Sequence, residues 1–175
     1  MSGHNRWTQI KRKKEKTDGQ KSKIFSKFAR LITQEAKIGG SDSPSLKRAI
    51  DQAKSANMPN DNIDRAIKKA LDPQSKKLES IFYEAYGPGG VAIVVEAMTD
   101  NKNKAVMEVK TALTKNGSSL ANPGSAMWAF EKNSEGELLP TIETEINEID
   151  FEKLEKIIEA LEECEEVQNV ITNAK

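Results

Sequence analysis

The chain has 175 residues, 37% of them apolar and 31% charged, with 27 basic side chains against 27 acidic ones. That is enough chain for one or two domains with modest cores. No apolar run approaches the ~18–20 residues that cross a bilayer. With Cys164 as the sole cysteine, an internal disulfide and a cysteine-built zinc site are excluded.

The net charge of zero conceals two opposite halves. Residues 1–77 hold 19 Lys/Arg against 8 Asp/Glu, and residues 78–175 hold 8 against 19. Such asymmetry is a sign of contact with nucleic acid or with another charged surface. The opening MSGHNRWTQIKRKKEKTDG is basic and lacks an apolar period, so residues 1–19 are expected to form a mobile arm that orders on a partner. It has no apolar core of a secretory signal and no Arg/Ser amphipathic pattern, so the expected location is the cytoplasm.

Three helices are expected within 20–77. In QKSKIFSKFARLITQEAKIGG, the residues Ile24, Phe25, Phe28, Leu31 and Ile32 make an amphipathic stripe, and Gly39 and Gly40 end it. SPSLKRAIDQAKSAN follows, with Pro44 in its first turn and Leu46, Ala49, Ile50 and Ala53 on one face. NMPNDNIDRAIKKAL starts a third, with Asn60 as expected N-cap and Ile63, Ala66, Ile67 and Leu71 apolar. LDPQSKKLES then reads as a linker.

The period changes over 78–175. ESIFYEAY and VAIVVEAM read as strands around a GPGG turn. NKNKAVMEVKTALTKNG reads as a helix with Val106, Val109 and Leu113 inward and Gly117 as its stop. SAMWAFEK alternates, which places Ala126, Trp128 and Phe130 on one face, and ELLPTIETEI does the same with Leu138, Ile142 and Ile146. IDFEKLEKIIEALEEC is a helix with Asp150 as expected N-cap and Ile149 and Leu154 as a staple. VQNVITN closes the set. The expected fold class is α+β: a three-helix domain, then a ferredoxin-like βαββαβ domain with an extra N-terminal strand.

Catalysis finds little support. His4 is the only histidine and falls in the expected arm, where nothing holds an imidazole for general-base work. YGPGG matches no nucleotide-cradling motif. It reads as a tight turn, with Tyr86, Gly87, Pro88, Gly89 and Gly90 also a candidate contact loop because glycine lets another molecule approach closely. The paired glutamates 162–163 and 165–166 lack the Gly turn and oxygen spacing of a calcium loop. No cofactor, metal or small-molecule substrate is therefore expected.

The candidate binding residues are basic. Arg6, Lys11, Arg12, Lys13, Lys14, Lys16, Lys21, Lys23, Lys27 and Arg30 are expected to make one positive surface, with His4 and Trp7 beside them. An aromatic ring among cations can stack on an unpaired base. The alternative for Trp7 is a contact that folds the arm back onto the helices.

MSGHNRW, KIFSKFARLI, NMPNDNIDRAI, YEAYGPGGVAIVVE, TDNKNKAVMEV, GSAMWAF and LEECEEVQNVITN together resemble the YebC/PmpR family over nearly the whole chain. Its eukaryotic relatives are mitochondrial translational activators of cytochrome oxidase subunit one. The resemblance implies a non-enzymatic, DNA-binding transcriptional regulator of the bacterial cytoplasm. The alternative it implies is an RNA- or ribosome-associated translation factor. Two departures stand out. The family's inserted third domain is expected to be absent near 133–137, where NSEG closes a hairpin, and Lys104 stands where the resemblance implies Arg. A reading from another class is a protein-interaction module whose acidic second half meets a basic partner.

Overall fold

The structure is a computed structural model and describes residues 18–175. These fall into two compact units, one ending at Glu79 and the other running from Ser80 to Lys175. The α+β class is what the chain adopts, helices first and a mixed domain after.

The first unit consists of α1 (Asp18–Gly39), α2 (Pro44–Ser55) and α3 (Asn60–Leu71). Gly40 ends α1 at φ +73°, a left-handed conformation natural to glycine. Ser43 caps α2, its hydroxyl accepting from the Leu46 amide at 3.1 Å. The turn into α3 is a Schellman motif. Asn57 takes φ +63°, its amide bonds Lys54 O at 2.9 Å, and the Met58 amide bonds Ala53 O at 2.9 Å. Met58 drops into the core at 4% exposure. Pro59 is the N-cap residue of α3 and makes no side-chain cap bond, so Asn60 is the first helical residue instead of the cap.

Ile32, Leu46, Ala49, Ala53, Ile63 and Ala66 are buried together, with Phe25 and Phe28 packed on them. Leu71 departs from the expected stripe and is 79% exposed, because α3 ends there and the chain turns extended at Asp72. Two polar side chains pin this small core. Thr33 donates to Ala66 O at 2.9 Å, joining α1 to α3. Gln34, 6% exposed, donates to Leu78 O at 2.6 Å and accepts from the Leu78 amide at 3.0 Å. Lys37 adds bonds to the carbonyls of Ser75 and Lys76. The expected linker is thus tied along α1.

The second unit contains β1 (Glu79–Tyr86), β2 (Ala92–Thr99), α4 (Lys102–Lys115), β3 (Ser119–Ala121), β4 (Phe130–Lys132), β5 (Leu138–Pro140), α5 (Glu148–Glu162) and β6 (Val167–Thr172). The main sheet runs β3-β1-β2-β6. Antiparallel registers set Glu84 opposite Ala121 and Val95 opposite Val170. Successive residues of a strand point to opposite faces, and both faces of β2 are covered. Ile93 and Val95 join Val109, Leu113, Leu154, Ile157 and Leu161 of the helices. Ala92 and Val94 join Ala126, Ala129 and Phe130 on the other side.

Several details of this unit differ from the sequence expectation. The strand counted as an addition to the βαββαβ unit, β1, lies inside the sheet, and β3 takes the edge beside it. Phe130–Lys132 and Leu138–Pro140 pair with each other in a separate two-stranded sheet, Phe130 opposite Pro140. Met127–Ala129 is a 3₁₀ turn, which buries Ala126, Ala129 and Phe130 and turns Trp128 outward at 57% exposure. Apolar burial at i, i+3 and i+4 is a helical spacing that the alternation of SAMWAF imitates. Ile142 is likewise 48% exposed, since β5 has already ended. The cap of α5 is Asn147, whose Oδ1 accepts from the Asp150 amide at 2.9 Å, and Ile149 is 66% exposed and forms no staple.

Glu84 is a carboxylate on β1 at 6% exposure. It accepts from the amides of Gly124 (2.6 Å), Ala126 (2.7 Å) and Met127 (2.8 Å). Burial pushes its pKa up, but the three amide bonds more than offset that, leaving it below the usual carboxylate value.

Two outcomes are expected from these pins. Gln34→Ala strands the Leu78 amide and carbonyl and costs about 1–3 kcal/mol of the helical unit's stability in urea titrations. Glu84→Gln replaces an acceptor-only group with one that offers an NH2 to converging amides, at a similar cost of about 1–3 kcal/mol at pH 7. Because the folded pKa of Glu84 is depressed, its contribution is full above the unfolded value of ~4.3 and is lost as pH falls through the lower folded value. The stability gap between wild type and Glu84→Gln should therefore be flat near neutrality and close below about pH 4. A gap that widens in acid contradicts this account of Glu84.

Candidate nucleic-acid interface

On a helix, residues three and four apart share a face. Lys23, Lys27 and Arg30 follow that spacing along α1, opposite the side that carries Phe25, Phe28 and Ile32 into the core. Lys23 is exposed, and Lys27 and Arg30 are half-buried. Lys21 is exposed too, but it lies about half a turn from this face at 100° per residue. The structure thus brings together three of the four basic residues expected on the helix. His4, Arg6, Trp7, Lys11, Arg12, Lys13, Lys14 and Lys16 lie outside the described residues.

Lys37 continues the same face and is spent on the carbonyls of residues 75 and 76. Residues 18–77 as a whole hold 13 Lys/Arg against 7 Asp/Glu, so the helical unit is basic even without the residues before it.

The Tyr86–Gly90 segment is a turn packed on its own domain. The Gly87 amide bonds Val91 O at 2.9 Å, and the Gly90 amide bonds Gly87 O at 3.2 Å. Gly89 sits at φ +70°, and a Cβ there would stand 2.6 Å from Ile146 Cγ2. A Cβ on Gly87 would meet Val91 Cγ2 at 2.9 Å and Ile93 Cδ1 at 3.0 Å. The close approach that these glycines permit is to the protein's own side chains, and only Gly89, Gly90 and Tyr86 are left exposed.

Lys104 belongs to an ion cluster at the surface of the second unit. Its ammonium lies 2.8 Å from Glu165, 3.0 Å from Glu166 and 3.8 Å from Glu108. Hydrogen bonds to the two C-terminal glutamates hold it more firmly protonated than a free lysine. Among the described residues, no group of three or more His, Cys, Asp or Glu is arranged to hold a metal ion.

One surface feature escaped sequence reasoning. Trp128 and Tyr86 meet at their polar edges, the indole Nε1 donating to the Tyr86 hydroxyl at 3.0 Å and to Ser125 O at 2.8 Å. The 42 positions between them hide the pairing. The available signal is an exposed aromatic on each side of the NPG turn, which the alternation of SAMWAF assigns inward.

A family description, the TACO1/YebC protein N-terminal domain, matches residues 5–72. A second, the TACO1/YebC second and third domain, matches residues 78–137 and 132–174. The chain is 44% identical over 166 residues to a probable transcriptional regulatory protein of Halothermothrix orenii, covering 93% of this chain and 63% of that one. It is 45% identical over 158 residues to one of Geobacter sulfurreducens, covering 88% and 61%. With one of Bacillus licheniformis it shares 47% over 181 residues, covering 98% and 74%. The chain thus spans less than two thirds of the length of the first two relatives. Among solved structures, a conserved hypothetical protein from Aquifex aeolicus, Aq1575, superposes with a TM-score of 0.83 at 31% identity, covering 98% of this chain and 97% of that one. Matched in order from residue 5 to residue 174, the chain belongs to the TACO1/YebC family.

Proposed function

We propose that the protein is a non-enzymatic regulator of gene expression that binds nucleic acid through residues 1–30. The observation that carries this reading is charge placement. Ten Lys/Arg and two acidic residues stand in that stretch, and Lys23, Lys27 and Arg30 share the outward face of α1. The name borne by the relatives, probable transcriptional regulatory protein, supports duplex DNA as the target. Phosphate contact supplies affinity for any nucleic acid and carries no sequence information by itself.

A second reading, an RNA-associated translation factor, is favoured by Trp7, which stands among cations where an unpaired base can stack. Crosslinking in cells followed by sequencing separates the two. Promoter DNA without ribosomal or messenger RNA supports the first, and the converse supports the second. No described helix is long and apolar enough to cross a membrane.

We propose that the extra chain of longer relatives is missing here near 133–137. There the Asn133 amide bonds Glu137 O at 2.9 Å, and the Gly136 amide bonds Asn133 O at 3.0 Å, which closes the β4–β5 hairpin without further chain. The proposed binding surface lies in the segment matched by the N-terminal family description, away from this hairpin in sequence.

Deleting residues 2–16 removes six Lys/Arg and leaves every described helix and strand intact. About six phosphate contacts give a log–log salt slope of roughly −4 on single strands and −5 on duplex. The deletion is expected to weaken binding and flatten that slope, with the thermal melt unchanged. Equal affinity and slope in the truncated protein would place the binding surface elsewhere.

A further inference from the structure

Trp128 is 57% exposed and Tyr86 is 38% exposed. Single exposed apolar residues are ordinary, but these two are fixed. Trp128 Nε1 donates to Ser125 O and to the Tyr86 hydroxyl, and the Tyr86 hydroxyl donates to the same Ser125 carbonyl. The loop that supplies Ser125 is anchored by the buried Glu84 through the amides of Gly124, Ala126 and Met127. Ser118 holds the other side, its hydroxyl donating to Tyr86 O at 2.6 Å. The polar edge of the indole is satisfied from within, and its ring remains turned to solvent. A ligand meeting this surface finds aromatic area already ordered, so little side-chain entropy is lost on contact.

Local charge says which ligand suits it. Residues 78–175 hold 8 basic against 19 acidic side chains, a surface that repels phosphate. The two stretches that meet at this pair, 85–95 and 109–130, contain no Asp or Glu. They contain Lys110 and Lys115 instead, and Lys115 stands four residues before Ser119, the register partner of Tyr86. Glu84, the residue just before the first of these stretches, is buried and fully engaged by amides.

We propose that Trp128 and Tyr86 form a stacking platform for an unpaired base of single-stranded nucleic acid, a second contact in the α+β unit. The proposal rests on the reading that this protein binds nucleic acid. Trp128 supplies the ring face, Tyr86 and Glu84 are positioning residues, and Lys115 meets the adjoining phosphate. Stacking of this kind tolerates any base, because every base has a π-face.

The chain has two tryptophans, Trp7 and Trp128, so the full-length Trp7→Phe variant reports on Trp128 alone. It is titrated with fluorescein-labelled 12-mers of dT and of rU, with label anisotropy for binding and indole emission for stacking, and with inorganic polyphosphate as a polyanion lacking bases. The expected result is quenching of Trp128 that saturates with the anisotropy, for the oligonucleotides and not for polyphosphate. Trp128→Ala is expected to weaken oligonucleotide binding about tenfold, the equivalent of ~1.4 kcal/mol and within the range of one stacked base, with the salt slope unchanged. Trp128→Phe should recover most of that loss. Tyr86→Phe should lower the quenching by loosening the indole while keeping the ring. Oligonucleotide binding with unchanged Trp128 emission and equal affinity of Trp128→Ala overturns the platform and leaves the proposed function standing. Failure of both oligonucleotides to bind the wild-type chain also overturns the platform, while the duplex reading of the proposed function stands or falls by the crosslinking experiment. A quench by polyphosphate equal to that by oligonucleotide also overturns the platform, since it reports charge alone.

Discussion

Strand β2 has no solvent face, and much of the second unit follows from that. Ala92, Ile93, Val94 and Val95 are all at 1% exposure or less. Each fully buried Val or Ile contributes about 1.5–3 kcal/mol, but only if both faces of the pleat are covered. The helices α4 and α5 cover one face, and the 126–130 segment with Phe82 covers the other. A strand so buried must also satisfy its backbone. Asn173 helps at its start, accepting from the Ala92 amide at 2.8 Å and donating to Ile142 O and Thr144 Oγ1. Glu84 then holds the second cover in place from the neighbouring strand. The aromatic pair on the outer surface is a consequence: once Ala126, Ala129 and Phe130 face inward on a 3₁₀ turn, Trp128 has nowhere to point but out.

The helical unit solves a different problem. Its core is small and rich in alanine, so the apolar area it can bury is limited. Alanine at the contacts lets helix backbones approach, and the polar pins Thr33 and Gln34 then add directional bonds that a small apolar core does not provide. The core-facing side of α1 is therefore committed to packing. Its opposite side carries cations along its first turns and is tied to the 75–78 segment further on, and like charges at i and i+4 are mutually repulsive by a few tenths of a kcal/mol. Lys23 and Lys27 stand in that relation.

Local chemistry was legible in the sequence, and long-range chemistry was not. The end of α1 at Gly39–Gly40, Pro44 at the start of α2 and the inward stripes of α1, α2 and α5 all depend on residues within one or two turns, where periodicity carries the information. β3 has three residues, too few to show a period, and it is a strand only because Leu120 lies opposite Ala85. Glu84 gives no sign of burial, since the amides that satisfy it come from 40 residues away. Trp128 was misplaced because Ala126 and Phe130 fit an alternating pattern and a helical one equally well. The basic residues were legible as a cluster. Their division into faces was not, because Lys21 departs from the face of Lys23, Lys27 and Arg30 only once the helix is in place.

Charge and aromaticity are kept apart in the described part of this chain, and the physics of nucleic-acid contact gives each a separate consequence. Cations along α1 act over the Debye length, about 8 Å at physiological salt, and weaken as ions are added. They draw any phosphate chain without selecting among sequences. A fixed indole acts only at contact and is almost indifferent to salt. Placing the first on a basic helical unit and the second in the acid-free part of an otherwise acidic unit separates capture from discrimination. On the proposed reading, the acidic surround contributes as well. It penalises a duplex, whose two phosphate strands cannot avoid the carboxylates, more than a single strand that can follow the neutral stretches with one base extended. On the proposed reading, the arrangement favours unpaired nucleic acid at the α+β unit and leaves the helical unit able to hold either form.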